Sequence, residues 1–196
     1  GYVKNLRYIN ALVAEHEKTN NISIDQVAAR VHGHKTRHAS LVLGTEGDVS
    51  PKGDHPGFVT VLDDKRILIP DRGGNNRLDS LQNLLANPKI GLLFFIPGVN
   101  ETLRINGTAE ITGDAELLKP MAVNKKVPKT GLIVHVEEAY LHCAKAFLRS
   151  GLWDASTWPA KEDLPKPGEM FKDHLKLDGP AASDEEIHGA LAKTLY

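Results

Sequence analysis

The chain contains one cysteine, Cys143, so no internal disulfide can form. No apolar run approaches the roughly 20 residues that carry a helix across a bilayer. No apolar signal region is recognisable near the start, so the expected location is cytoplasmic. An excess of charge is missing too. Twenty-four Lys and Arg stand against 25 Asp and Glu, for a net charge of −1. That balance leaves no basic footprint for nucleic acid and no cationic face for a membrane surface. The phosphate loop G-x-x-x-x-G-K-[ST], the dinucleotide turn G-x-G-x-x-G and the nucleophile elbow G-x-S-x-G do not occur, which removes three common enzyme classes.

The 196 residues, 41% of them hydrophobic, suffice for one substantial core. Residues 4–17 set Leu6, Ile9, Leu12 and Val13 at helical spacing, and Ser23 to Gln26 forms a capping box that opens a second short helix. These make residues 1–37 an N-terminal helical segment. His32, His34 and His38 lack the fixed spacing and accompanying Cys or carboxylates of a metal centre, so no metal site is expected.

From residue 38 short strand patterns dominate. His38–Gly44, Phe58–Leu62 and Arg66–Pro70 are expected strands, and Thr45–Gly57 is expected as a glycine-rich loop with at most a short strand at Asp48–Ser50. Asp71–Asn76 is a second glycine-rich loop. A helix is expected from about Arg77, capped by Asn76, striped by Leu78, Leu81 and Leu85, and stopped by Asn87-Pro88. Lys89–Ile96 is apolar at most positions and is expected to be buried on both faces. Glu101–Thr112 is a long strand whose Asn106-Gly107 pair marks a bulge. Asp114–Val123 is a short helix, and Leu132–Val136 a strand that extends towards His142. Cys143–Arg149 is a helix with Cys143 packed rather than nucleophilic. Residues 159–196 form a C-terminal extension in which Ser183–Glu186 caps a terminal helix.

The two glycine-rich loops each carry a cation. Ser50, Lys52, Asn76 and Arg77 supply the hydroxyl, amide and cationic donors that a phosphate needs, beside the start of a helix.

Four segments in order carry a family resemblance: Asp48–Asp54, Leu68–Leu81, Asn87–Phe94 and Glu101–Gly107. Together they resemble the pyridoxamine 5'-phosphate oxidase-like FMN-binding split-barrel proteins. His142–Asp154 is similar to a bacterial subgroup of them. The resemblance implies a mainly β, α+β fold: a six-stranded antiparallel split β-barrel over residues 38–158 with flanking helices. It implies FMN as cofactor, a homodimer with flavin at the subunit interface, and a small-molecule substrate. It places Val49, Ser50, Pro51 and Lys52 against the flavin, Ile69 and Pro70 beside it, and Asn76 and Arg77 at the phosphate. Thr102 falls where a polar residue reaches over from the other subunit, and Lys145, Arg149 and Trp153 fall near that interface. The expected activity is FMN-dependent oxidoreduction. A non-catalytic flavin-binding protein and a haem-binding or haem-degrading relative are the alternatives. The arginine–histidine motif of true pyridoxamine phosphate oxidases is missing, since His174 and His188 stand without an adjacent arginine. Pyridoxamine phosphate is therefore not the expected substrate.

Overall fold

The computed structural model describes residues 39–45, 47–74 and 77–195. The helices expected before residue 38, and the three clustered histidines, lie outside the described residues.

Seven strands form one antiparallel sheet: β1 (Ala39–Thr45), β2 (Asp48–Asp54), β3 (Thr60–Asp63), β4 (Arg66–Asp71), β5 (Lys89–Phe95), β6 (Thr102–Thr112) and β7 (Thr130–His142). Their order is β2-β1-β5-β6-β7-β4-β3, with β2 and β3 at the edges. The sheet curls into a half-barrel with flanking helices, which is the expected split-barrel class. The strand count is seven rather than six. The extra one is β2, which replaces the expected loop. Pro51 and Gly53 disguise it in the sequence, but β2 is an edge strand, where a proline costs no ladder bond on the open side.

The interior is filled from one face of the sheet by Ile67, Ile69, Ile90, Leu92, Leu103, Ile105, Leu132 and Val134. Helix α1 (Asp79–Ala86) adds Leu84 to this cluster. Leu81 packs against it, whereas Leu78 and Leu85 are exposed. The inward stripe of α1 is thus Leu81 and Leu84, not the expected Leu78, Leu81 and Leu85: the helix starts two residues later than its sequence suggests, which leaves Leu78 outside it as the N-cap, and Leu84 rather than Leu85 turns to the core. Asn83 fixes α1 on β1 by donating from Nδ2 to the buried Thr45, to its Oγ1 at 3.3 Å and its carbonyl at 3.4 Å.

The strand buried on both faces is β4, not β5. Ile67 and Ile69 point into the barrel, while Leu68 meets Leu118, Met121 and Ile133 on the other side. Those partners come from helix α2 (Ala115–Leu118), the 3-10 turn Lys119–Met121 and β7. In β5, Ile90 and Leu92 are buried, but Gly91 and Leu93 are half-buried. Pro70 sits in β4 opposite Gly131 of β7. Strand β3 pairs with β4 only from Arg66 to Leu68, so Pro70 lies beyond its reach and its missing N–H breaks no bond.

Beyond β7, helix α3 (Lys145–Ser150) ends on Gly151 in the left-handed conformation. Helix α4 (Pro167–Leu175) was not expected, since Pro167-Gly168 looks like a linker; proline at the first helical position in fact starts it. Helix α5 (Asp184–Ala192) carries the expected capping box between Ser183 and Glu186.

Candidate functional site

Alternation along β2 sorts its residues by face. Asp48, Ser50, Lys52 and Asp54 are half-buried, and Val49, Pro51 and Gly53 are exposed on the opposite face. The side chains of Asp71, Arg72 and Ser80 meet the half-buried face. Arg72 donates from Nε to Asp54 Oδ2 at 2.5 Å. Lys52 Nζ lies 3.7 Å from Asp71 Oδ1, whose other oxygen accepts from Thr130 Oγ1 at 3.3 Å. At the far end Ser80 donates from Oγ to Asp48 Oδ2 at 3.4 Å. Strand β2 pairs only with β1 in the sheet, and among the described residues side chains bridge this seam.

The start of α1 closes the seam. Its N-cap position is Leu78, whose side chain makes no cap bond. First-turn N–H groups without a cap form a natural seat for an anion. Arg77 stands just before that turn, 70% exposed, and donates from Nε to Asp79 Oδ2 at 2.9 Å. The bond to Asp79, then its charge, and further off the charge of Asp48, hold the Arg77 guanidinium more basic than usual. Asn76, expected as the cap, lies outside the described residues. Ile69 is buried in the barrel interior and Pro70 is buried at the end of β4, at the mouth of the seam.

The other predicted residues form a second group. Trp153 donates from Nε1 to the Val99 carbonyl at 2.9 Å and meets Phe147 edge-on at 5.9 Å. Phe147 stacks on Phe95 at 5.6 Å. Arg149 donates from Nε to the Lys145 carbonyl at 3.2 Å, and the Arg149 side chain is exposed. Thr102 is buried at the start of β6, so its hydroxyl does not reach out of the chain. Among the described residues, none of Thr102, Lys145, Arg149 and Trp153 bonds to a residue of the β2 seam. Cys143 is exposed rather than packed, a correction to the sequence reading. It lies just before α3 and so escapes the buried side of that helix. No group of three or more His, Cys, Asp or Glu that could hold a metal is found among the described residues.

The outer face of the sheet joins the two groups. Register places Val49, Gly44, Gly91 and Asn106 in one row across four strands, and Pro51, Val42, Leu93, Arg104 and Tyr140 in the next. Val49 is 67% exposed and Tyr140 38%. Neither Gly44 nor Gly91 has a left-handed φ, and a Cβ at either would meet nothing closer than 3.7 Å.

Sequence reasoning missed Asp48, Asp54, Asp71 and Arg72. The signal was the period-two alternation of Asp48, Ser50, Lys52 and Asp54, hidden by reading the stretch as a loop.

A family model described as Pyridoxamine 5'-phosphate oxidase matches residues 25–143. Among solved structures, the chain is similar to HupZ of Group A Streptococcus, at 23% identity over 54% of this chain and 84% of that one, with a TM-score of 0.42. It is similar to an FMN-binding protein from Syntrophomonas wolfei, at 11% identity over 73% of this chain and 98% of that one, TM-score 0.44. A protein from Clostridium acetobutylicum related to general stress protein 26, of the pyridoxinephosphate oxidase family, matches at 16% identity over 59% and 86%, TM-score 0.40. No curated protein matches the sequence.

Proposed function

The chain belongs to the pyridoxamine 5'-phosphate oxidase family, and from that membership we propose that it is a homodimeric FMN-binding flavoprotein that oxidises or reduces a small molecule. The observation that carries the reading is the seam between β2 and the Asp71–Ser80 connection. Arg77 and the uncapped start of α1 provide for the phosphate, and Ser50 and Lys52 line the seam beside the rest of the cofactor. The donor set fits an anion, because the pairs Lys52–Asp71 and Arg77–Asp79 are solvent-accessible. Pairs of that kind are weak, so a dianion can draw the cations away at little cost.

When bound, the flavin supplies hydride or electron transfer. The chain's own work is to hold it and keep water from it. Lys52, Arg72 and Arg77 stand beside the carboxylates of Asp71, Asp54 and Asp79, and of these cations the more exposed Lys52 and Arg77 are the ones a phosphate can draw on.

A second copy of the chain is supported by the outer face. Among the described residues Lys145, Arg149 and Trp153 make no bond to the seam of their own chain, as expected if they serve a partner's seam. Gly44 and Gly91 lie side by side in strands, where each glycine costs roughly 0.5–1 kcal/mol against alanine. Among the described residues neither conformation nor packing requires them. Close approach by another surface is the remaining use of a strand glycine.

The test is the absorption spectrum of the purified protein, followed by calorimetry with FMN and riboflavin. A flavin spectrum and a clear preference for FMN are expected. Equal affinity for the two would remove the phosphate site, and a Soret band on haem addition without any flavin binding would overturn the reading.

A further inference from the structure

The seam is not itself cationic. Among the described residues it sets Lys52, Arg72 and Arg77 against Asp48, Asp54, Asp71 and Asp79. Four carboxylates against three cations leave a slight negative charge where a dianion has to arrive. The whole chain does not help, since its net charge is −1. Rapid approach of an anion then depends on positive charge concentrated beside the seam.

The connection between β6 and β7 supplies it. From Leu117 to Val136 the chain carries Lys119, Lys125, Lys126 and Lys129 and no carboxylate. All four lysines are exposed. The tip is a two-residue turn in which Asn124 and Lys125 both have left-handed φ, 50° and 64°. It is closed by the Val123 N–H on the Lys126 carbonyl at 3.1 Å and the Lys126 N–H on the Val123 carbonyl at 2.8 Å. Glycine takes the second place of such a turn without strain. Lysine there sets a charge at the tip at a cost in backbone strain.

Both limbs of the connection are pinned to the end of the sheet that holds the seam. Thr130, the residue after Lys129, bonds Asp71 at 3.3 Å, and Asp71 stands 3.7 Å from Lys52. Successive Cα atoms are about 3.8 Å apart, so the Lys129 backbone lies within roughly 10 Å of the Asp71 carboxylate, about one Debye length in 0.1 M salt. On the other limb Lys119 follows Leu118, which packs with Leu68 of β4 and reaches over Gly131. Gly131 lies opposite Pro70, so Lys119 and Lys129 flank the Pro70–Asp71 end of β4. Exposed ammonium groups stay hydrated and hold an anion weakly, so their reach is through the field rather than by contact.

We propose that the lysine-bearing β6–β7 connection is an electrostatic guide: it draws phosphate-bearing ligands to the seam and speeds the arrival of FMN without holding the bound molecule. This rests on the flavin reading above and concerns how the site fills, not what it holds.

The test is stopped-flow flavin fluorescence with FMN and riboflavin as probes. The proteins are wild type, Lys125→Gly, and a double variant with Lys125→Glu and Lys129→Glu. Lys125→Gly suits the left-handed turn better than lysine does, so its fold is not at risk. At about 10 mM salt, where charges reach roughly 30 Å, FMN association is expected to slow about tenfold in the double variant and about two- to threefold in Lys125→Gly. Dissociation and riboflavin association should match the wild type in both. The differences should vanish near 1 M salt, where the reach falls to about 3 Å. Wild-type FMN association rates in both variants at low salt would overturn the proposal. Parallel slowing of FMN and riboflavin would do the same, as would an affinity loss carried by faster dissociation, which would make the lysines a contact rather than a guide. If the double variant does not fold, Lys125→Gly alone decides, and a wild-type rate in it overturns the proposal. Wild-type protein that binds neither flavin, or does not distinguish them at equilibrium, would instead sink the flavin-phosphate reading itself.

Discussion

The carbonyl of His135 lies so close to Gly107 that a Cβ at residue 107 would overlap its oxygen, with the carbonyl carbon at 3.1 Å and the Glu137 nitrogen at 3.3 Å. Strands β6 and β7 slip by one residue between Asn106 and Gly107, and this is where the backbones press together. The obstacle is backbone rather than a flexible side chain, so neither strand can yield without giving up ladder bonds. Gly107→Ala should therefore destabilise the protein by about 3 kcal/mol, read as a lower urea midpoint with an unchanged slope. A midpoint within error of wild type would show that the bulge can relax.

Arg77→Ala addresses the phosphate. The side chain is 70% exposed, and its ion pair is with Asp79, two residues along the chain. Losing it should leave the unfolding midpoint of the apo-protein unchanged. FMN affinity should fall roughly ten- to hundredfold, the worth of one charge-assisted contact. Flavin fluorescence titration beside urea unfolding separates the two effects. Unchanged FMN affinity with reduced apo stability would make Arg77 structural and move the phosphate elsewhere.

The terminal helix α5 should respond to acid. Glu186 is held below the ordinary glutamate range, first by the Ser183 N–H and then by the Ser183 hydroxyl. A carboxylate whose folded pKa is depressed stabilises the fold above its unfolded value, and that help is lost as pH falls through the folded one. Relative to the intrinsic rate at each pH, amide protection in the first turn of α5 should fall below about pH 4. In Ser183→Ala it should already be low at neutral pH. Protection in that turn that stays flat with pH in the wild type would show the capping box carries no local stability.

Particular residues show what could be read in advance. Asn106-Gly107 announced the bulge, because few sequences other than a bend place that pair inside an apolar strand. Ser183 and Glu186 announced α5 by reciprocal capping chemistry. Strand β2 was illegible because Pro51 and Gly53 argue against a strand unless one knows it lies at an edge. The start of α1 was misplaced since Asn76 is a good cap by residue type, while the chain begins the helix after the uncapped Leu78. The Arg72–Asp54 pair could not be read at all: it links residues 18 apart across a seam that exists only once the sheet has curled.

The outer face gives the last prediction. Gly44 and Gly91 pair across β1 and β5, between the exposed Val49 and the half-buried Asn106. Among the described residues a Cβ at Gly91 would find only Asn106 Oδ1, at 3.8 Å, and valine suits a strand better than glycine does. Within one chain, Gly91→Val should be neutral or slightly stabilising. Across an interface it should be damaging, because the branched side chain would stand where a second surface comes close to the backbone. Sedimentation velocity should show wild-type protein as a dimer and Gly91→Val shifted towards monomer. Circular dichroism and the urea midpoint, extrapolated to low protein concentration, should match those of the wild type. FMN affinity should fall with the dimer, since Lys145, Arg149 and Trp153 would no longer be brought to a neighbouring seam. A Gly91→Val protein that remains dimeric with full flavin affinity would place the subunit contact on another face and leave the two strand glycines without a use.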